Sequence, residues 1–229
     1  MDINLDAQTN NSLTGLCSNL TDQKNLSKTY FGGNSLKKVL YLSLFVAAIF
    51  IGYTLIYFNQ YHIEDEQTAI QAGVIEWLYN GPNIDPDLKP AMKEMIQLDD
   101  TNSYIGLIQT PDRYVGYVHF IKGWNGKFKI NSSSGPGSNI VDYQKIKTTN
   151  GMYAILVGRN PALTIDHIKA ELEYEEFHFI VNVSSDELFI RYKHLPKDIK
   201  EPFPAELTYY DKNNSEIDWS ELMDLIEEQ

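Results

Sequence analysis

The side chains best suited to chemistry in this chain are histidines and a run of serines, and none stands in a pattern typical of a reaction centre. The histidines are His62, His119, His167, His178 and His194. Their spacing matches neither HExxH nor another zinc-binding pattern. The serines at 132–134 lack the flanking glycines of a hydrolase nucleophile turn, and Cys17 has no second cysteine for a disulfide. The sequence therefore predicts no catalytic residue, no metal site and no cofactor.

One acidic segment imitates a calcium-binding loop. Asp211, Asn213 and Ser215 occupy the first three ligand positions of an EF-hand loop, but the turn position holds Glu216 instead of glycine. Position twelve holds Leu222 where a bidentate glutamate is needed. We therefore interpret the segment 212–215 as an ordinary turn.

A second acidic pattern places carboxylates at every other position. Glu171, Glu173 and Glu175 alternate along a predicted strand. Stacked carboxylates can bind a cation or act as acid and base, which is one hypothesis for this run. Alternation is also typical of a strand face in contact with water, and we favour that interpretation.

The last twelve residues, 218–229, have the pattern of an amphipathic helix. Apolar side chains recur at i, i+3, i+4 and i+7: Trp219, Leu222, Met223 and Ile226. Asp218 and Glu221 have the positions of an N-terminal capping pair. We expect this helix to dock on its own domain, and its apolar face is a candidate partner-binding surface.

One long apolar segment lies before all of these groups except Cys17. Residues 39–58 contain no charged side chain, and twelve of the twenty are Val, Leu, Ile or Phe. A helix of this length covers about 30 Å, the hydrocarbon thickness of a bilayer. Its insertion is favoured by about 4 to 7 kcal/mol on residue insertion scales. Tyr41 near one end and Tyr53 and Tyr57 near the other suit the headgroup layers, so the sequence predicts a transmembrane helix at 37–58.

The residues that flank this segment predict its orientation. Lys37 and Lys38 precede it, whereas Glu64, Asp65 and Glu66 follow it. The positive-inside rule then places the N-terminus in the cytoplasm and everything after residue 58 outside the cell membrane. A cleaved signal peptide is disfavoured because the apolar run is too long and no small-residue cleavage site follows it.

The charge of the predicted outer part excludes one class of ligand. The chain holds 19 basic and 31 acidic residues, of which four lysines and three aspartates precede residue 59. The remainder therefore carries 15 basic and 28 acidic residues, a net charge of −13. Nucleic acid is an improbable ligand because phosphate binding requires a basic surface. A cationic peptide or a divalent ion would be compatible with this charge, although solubility alone explains it.

The segment after the apolar run is predicted to begin with helices and to continue as an antiparallel meander. The pattern predicts helices at about 64–79 and 87–98. Aromatic and β-branched residues from Tyr104 to Ile130 then predict three strands. Asn125-Gly126 separates the last two strands and predicts a hairpin with a type I′ turn.

The remaining sequence is predicted to be mostly β-structure. Loop-forming residues at 132–139 suggest a linker, and short strands spaced through 140–217 favour a small β-sandwich. The predicted fold class is α+β. Its parts are a flexible cytoplasmic tail at 1–36, the transmembrane helix, an α+β part at 59–131, the linker, the β-sandwich-like part and the C-terminal helix.

One resemblance supports this organisation. The Lys-flanked span, the segment Tyr114–Gly123 with its Asn-Gly hairpin, and the strand Tyr153–Gly158 resemble those of uncharacterised single-pass membrane-anchored proteins of Gram-positive bacteria. The resemblance covers about residues 37–217 and implies a cell-envelope location. It implies no activity and no site residues.

Together these features predict a membrane-anchored binding protein. The outer domain is expected to bind a protein, a peptide or an envelope ligand, while 39–58 contact the lipid bilayer. An accessory subunit of a membrane complex and an envelope hydrolase with an unfamiliar site remain alternatives. The pairs Ser43/Ala47 and Ala48/Gly52 have small-xxx-small spacing, which permits self-association of two spans.

The predicted orientation can be tested in intact cells. An alkaline phosphatase reporter fused after Gln229 should be active, because its disulfides form only outside the cytoplasm. Protease added to intact cells should digest the part after residue 58 and leave an N-terminal tag untouched. An inactive reporter together with a protected C-terminus would contradict the orientation.

Overall fold

The computed structural model describes residues 33–79, 90–135, 137 and 140–227. The chain divides into two compact units, 1–55 and 56–229. Antiparallel sheets and helices are mixed, and one apolar helix precedes them, so the predicted α+β class is confirmed.

The first described element is a long apolar helix, α1, at Gly33–Gln60. The most apolar 18-residue stretch within its part Leu36–Gln60 has a mean hydropathy of 2.3, and none of that stretch is buried by the described residues. By length and composition this helix could cross a membrane. Most of the predicted cytoplasmic tail, residues 1–32, lies outside the described residues.

A second helix, α2, spans Gln67–Tyr79 and confirms the helix predicted at about 64–79. Its buried side chains are Ile70, Val74 and Leu78, spaced by four residues along one face. Trp77, which precedes Leu78, is 43% exposed.

Ten antiparallel strands and a third helix follow. The strands are β1 Ala91–Gln97, β2 Ser103–Gln109, β3 Val115–Lys122, β4 Phe128–Ser133, β5 Val141–Thr148, β6 Gly151–Arg159, β7 His167–Leu172, β8 His178–Asn182, β9 Leu188–His194 and β10 Ala205–Tyr210. A 3₁₀ turn lies at Pro161–Leu163, and α3 spans Trp219–Glu227. The first sheet has the order β1-β2-β3-β4, the second β5-β6-β9 and the third β10-β7-β8.

The helix predicted at 87–98 is wrong, because its described part forms strand β1. The pairing with β2 shifts between Met92 and Glu94, which leaves Lys93 as an extra residue in a β-bulge. The bulge reverses the alternation of side chains, so Met92 and Met95 both pack toward α2. A spacing of three residues, normally typical of a helix, is here produced by a bulged strand.

The β3–β4 hairpin predicted from Asn125-Gly126 is present, but its turn type differs from the prediction. The N–H of Gly123 donates to the carbonyl of Lys127 at 2.8 Å, and that of Gly126 donates to Gly123 at 3.0 Å. Gly126 has a φ of +79°, whereas Asn125 does not take the positive φ that a type I′ turn requires. This is the pattern of a type I turn closed by a glycine bulge.

The first sheet packs on α2 with one face. The cluster between them contains Ile63, Ile70, Val74, Leu78, Ile108, Val118, Phe120 and Phe128. An antiparallel bridge between Ile63 and Phe128 fixes the chain just before α2 to the start of β4. The helix therefore lies across this face of the sheet in a defined position.

The other face of the first sheet packs on the second sheet. Their shared cluster contains Leu98, Ile105, Leu107, Tyr117, Ile146, Tyr153, Ile155, Val157 and Ile190. The parts of the chain before and after residues 132–139 thus share one core. Strand β4 also continues through Ser132 and Ser133, which were predicted to lie in a linker.

The second sheet packs on the third sheet and on α3 with its remaining face. That cluster includes Ala154, Leu156, Ile168, Phe179, Phe189 and Leu222. Strand β6 is consequently buried on both faces, with Ile155 toward the first sheet and Leu156 toward the third. Burying such a side chain contributes about 1.5 to 3 kcal/mol.

The shared core predicts that the unit 56–229 unfolds cooperatively. Ile155→Ala leaves a cavity between the first and second sheets and should destabilise the unit by about 2 to 5 kcal/mol. Urea unfolding of the full chain in detergent, followed by tryptophan fluorescence, should show one transition at a lower midpoint. Ile180→Ala removes an exposed isoleucine and serves as the matched control, with an expected change within about 0.5 kcal/mol. Two separate transitions in the unsubstituted chain would contradict a shared core.

Candidate functional site

A groove between α2 and β4 is the best candidate site. Its volume is about 590 Å³, and its lining residues are Gln60, His62, Ile63, Gly73, Glu76, Trp77, Lys129 and Ile130. It is larger than the clefts beside Asp211 and Glu171, and a greater share of its surface is apolar. Large pockets with a few polar groups are the usual binding sites of proteins.

The groove exists because α2 and the chain before it approach closely. A Cβ atom at Gly73 would lie 2.7 Å from Cδ1 of Ile63, so a larger residue here would displace the Ile63 side chain. Trp77 forms one wall, and its indole N–H donates to the hydroxyl of Ser133 at 3.0 Å. This hydrogen bond holds the exposed ring against the end of β4.

The chemical character of the groove suits binding. Ile63, Trp77 and Ile130 supply apolar surface, and Glu76 and Lys129 supply one charge of each sign. The Lys129 ammonium lies 4.9 Å from the ring centroid of Tyr61. These side chains can bind a ligand that carries an apolar group next to a charged group. The lining residues include no serine, threonine or cysteine nucleophile.

Four aromatic rings form a cluster at the C-terminal end of α1, which we call the aromatic clamp. Its members are Tyr57, Phe58, Tyr61 and Trp124. Tyr57 lies between Tyr61 and Trp124, with ring centroids 4.4 Å and 4.9 Å away and nearly parallel planes. Phe58 meets Trp124 edge-on at 5.4 Å. Stacked and edge-on pairs of this kind each add about 0.5 to 1.5 kcal/mol beyond area burial.

Hydrogen bonds fix the β3–β4 turn to the same helix end. The backbone N–H of Trp124 donates to the hydroxyl of Tyr57 at 2.7 Å. The side-chain amide of Asn125 donates to the carbonyl of Tyr61 at 3.0 Å. A Cβ atom at Gly123 would overlap the Tyr57 hydroxyl, so glycine is required for this approach. The turn is therefore held by both ring stacking and hydrogen bonds.

A band of polar side chains lies between the first and second sheets. His119 on β3 is 2% exposed, and its Nδ1 lies 3.3 Å from the amide nitrogen of Asn131. Its Nε2 has no hydrogen-bond partner within the described part of the chain. Burial lowers the pKa of His119 to about 4, because the charged imidazolium is poorly solvated there. His119 is therefore neutral near pH 7.

The same band contains a serine and an aspartate, but no catalytic triad. The hydroxyl of Ser134 donates to Asp142 at 2.7 Å, and the side-chain amide of Gln144 donates to the same carboxylate at 3.1 Å. His119 contacts Asn131 and does not bridge Ser134 and Asp142. A Ser-His-Asp triad would need the histidine between them.

Arg159 at the end of β6 is a second buried polar group. It is 5% exposed, and its Nε and Nη2 atoms have no hydrogen-bond partner among residues 33–79, 90–135, 137 and 140–227. Burial lowers its pKa, and repulsion from Arg113 acts in the same direction. Such a guanidinium could hold a small anion. None of the three cavities described above is lined by it.

The predicted partner-binding face of α3 lies mostly against its own domain. Leu222 is fully buried, and Met223 and Ile226 pack on the same core. Trp219 remains 51% exposed beside Tyr209. In this docked position a partner would reach Trp219 and little else of the face. The N-terminal cap is as expected for Asp218, whose carboxylate accepts the backbone N–H of Ser220 at 2.8 Å.

The acidic patterns do not form a metal site in the described residues. Asp211 accepts the backbone N–H groups of Asn213 and Ser215, each at 2.8 Å, which confirms a turn. Glu171 pairs with Lys169 at 2.6 Å, and Glu175 accepts two backbone N–H groups from the chain before β10. Each of these carboxylates is thus used within the domain.

Comparison with known proteins identifies no relative. No protein-family model, no curated protein and no solved structure matches the chain. The functional argument therefore depends on the geometry of the groove and the aromatic clamp.

Sequence reasoning did not find the groove or the aromatic clamp. Both combine residues near 57–77 with residues of the β3–β4 hairpin, more than fifty positions later. The exposed tryptophans were the available indication, because Trp77 and Trp124 are large apolar side chains outside the core.

The buried His119 predicts a pH dependence of stability. Its pKa is near 6.5 in the unfolded chain and about 4 in the folded domain, so the unfolded state binds more protons between these values. Stability should therefore fall as the pH drops from about 6.5 to about 4, by at most about 3 kcal/mol from this group. His119→Gln should remove this component in urea unfolding at a series of pH values.

The exposed His178→Gln is the matched control for that series. It should change the stability at pH 7 by less than about 0.5 kcal/mol. If His119→Gln retains the full pH dependence of the unsubstituted chain, His119 is not its source.

Proposed function

We propose that the chain is a single-pass membrane protein whose outer domain binds a protein, peptide or envelope ligand in the α2–β4 groove. The groove itself carries this proposal. It combines the exposed ring of Trp77 with a carboxylate and an ammonium, at the point where α1 ends and the domain begins. Tryptophan and charged groups in a partly desolvated groove are typical of binding hot spots.

The location of the domain is part of the same proposal. The helix α1 is long and apolar enough to span a bilayer, and Lys37 and Lys38 near its start favour an N-terminus in the cytoplasm. The net charge of −13 after residue 58 suits an extracytoplasmic domain whose bulk is in solution. In this arrangement the helix-plus-meander part carries the groove, and the β-sandwich-like part supports it.

The two alternative functions have weaker support. An accessory subunit would contact its complex through α1, where the small-xxx-small pairs permit close approach of helices. An envelope hydrolase would need a nucleophile and base in contact. In the polar band between the first two sheets, Ser134 contacts Asp142, but His119 contacts neither of them.

Two tryptophan substitutions distinguish the groove from the α3 face. Trp77→Ala removes the wall of the groove, whereas Trp219→Ala removes the exposed ring of α3. Tagged full-length variants should be used for affinity capture from detergent extracts, with captured proteins quantified by mass spectrometry. We expect Trp77→Ala to reduce capture of the specific partner by at least roughly tenfold, because hot-spot tryptophans contribute about 2 kcal/mol or more. Trp219→Ala is the matched control and should retain capture.

Each other outcome has a definite meaning. If Trp219→Ala loses the partner and Trp77→Ala keeps it, the α3 face is the binding surface. If a variant with a foreign transmembrane helix in place of 39–58 loses the partner while Trp77→Ala keeps it, the accessory-subunit function is favoured.

A further inference from the structure

We propose that the β3–β4 turn is a second membrane contact of the domain, and that the Trp124 ring lies in the outer headgroup layer of the bilayer. The proposal rests on the membrane span of the proposed function and adds a surface far from it in sequence. The occupant of this surface is the lipid headgroup region.

The depth of Trp124 follows from the helix length. The twenty residues of 39–58 cover about 30 Å, so Tyr57 and Phe58 lie at the boundary between hydrocarbon and headgroups. Each headgroup layer is roughly 5 to 7 Å thick, from the difference between the total and hydrocarbon thicknesses. The ring centroid of Trp124 lies 4.9 Å from that of Tyr57 and 5.4 Å from that of Phe58. It is therefore within one headgroup layer of the boundary.

The exposure of Trp124 is explained by this location. Its side chain is 70% exposed, although it belongs to a rigid turn with hydrogen bonds on both sides. A tryptophan ring in that position would be costly in water, but the headgroup layer accepts both its apolar body and its indole N–H. Tyr61 in the same cluster has an amphipathic ring of the same kind.

Positive side chains surround the same turn. Lys129 lies over the Tyr61 ring, and Lys127 pairs with Glu64 at 2.5 Å. Lys122 pairs with Asp65 at 2.6 Å at the other side of the hairpin end. In a domain with a large acidic surplus, these lysines reduce the negative charge that this surface presents to anionic lipids.

Fluorescence quenching can measure the depth of Trp124 directly. Two single-tryptophan variants of the full-length protein would be compared in phospholipid vesicles. Trp77→Phe with Trp219→Phe retains Trp124, and Trp77→Phe with Trp124→Phe retains Trp219 as the matched control. We expect a headgroup-nitroxide lipid to quench Trp124 at least twofold more than Trp219, and acrylamide in water to quench it less. Circular dichroism should show that both variants are folded, and Trp77→Tyr can replace Trp77→Phe if they are not.

Vesicle flotation separates the failure of this proposal from that of the span. If the chain floats with vesicles but Trp124 is quenched like Trp219 by both agents, the turn does not contact the bilayer and the span is unaffected. If the chain does not float at all, the span and the turn contact are both refuted.

Discussion

The apolar surface of α1 is the constraint on which the other features depend. The most apolar part of this helix is not buried by any described residue, and a helix of that composition is unfavourable in water. It must therefore lie in lipid or against another apolar surface. The aromatic clamp is built on the end of this helix through Tyr57 and Phe58, and the groove is lined by its last residue, Gln60.

The sequence predicted those elements whose pattern is local. The apolar helix, α2 and most strands follow from periodicity, and the β3–β4 hairpin follows from Asn125-Gly126. Strand β1 was predicted as a helix, because the bulge at Lys93 places Met92 and Met95 on one side at a helical spacing. Bulges and edge strands are set by their neighbours rather than by their own residues.

The candidate site was less predictable than the fold. The residues of α3 that were expected to bind a partner have the spacing of an amphipathic helix. Leu222, however, is buried in its own domain. The groove depends instead on a contact between Gly73 and Ile63 and on a hydrogen bond from Trp77 to Ser133. Neither leaves a periodic trace in the sequence, because both join elements distant in the chain. Such contacts can be recognised only in the folded structure.

Strand β6 has a consequence for how the unit 56–229 can move. It is hydrogen-bonded to β5 on one edge and β9 on the other, and apolar layers cover both of its faces. Its amide hydrogens should therefore be the last to exchange with deuterated solvent. The helices α2 and α3 lie on opposite outer layers, so either can open locally while this strand stays intact. The layer that contains the proposed α2–β4 groove can thus deform while the centre of the unit remains rigid.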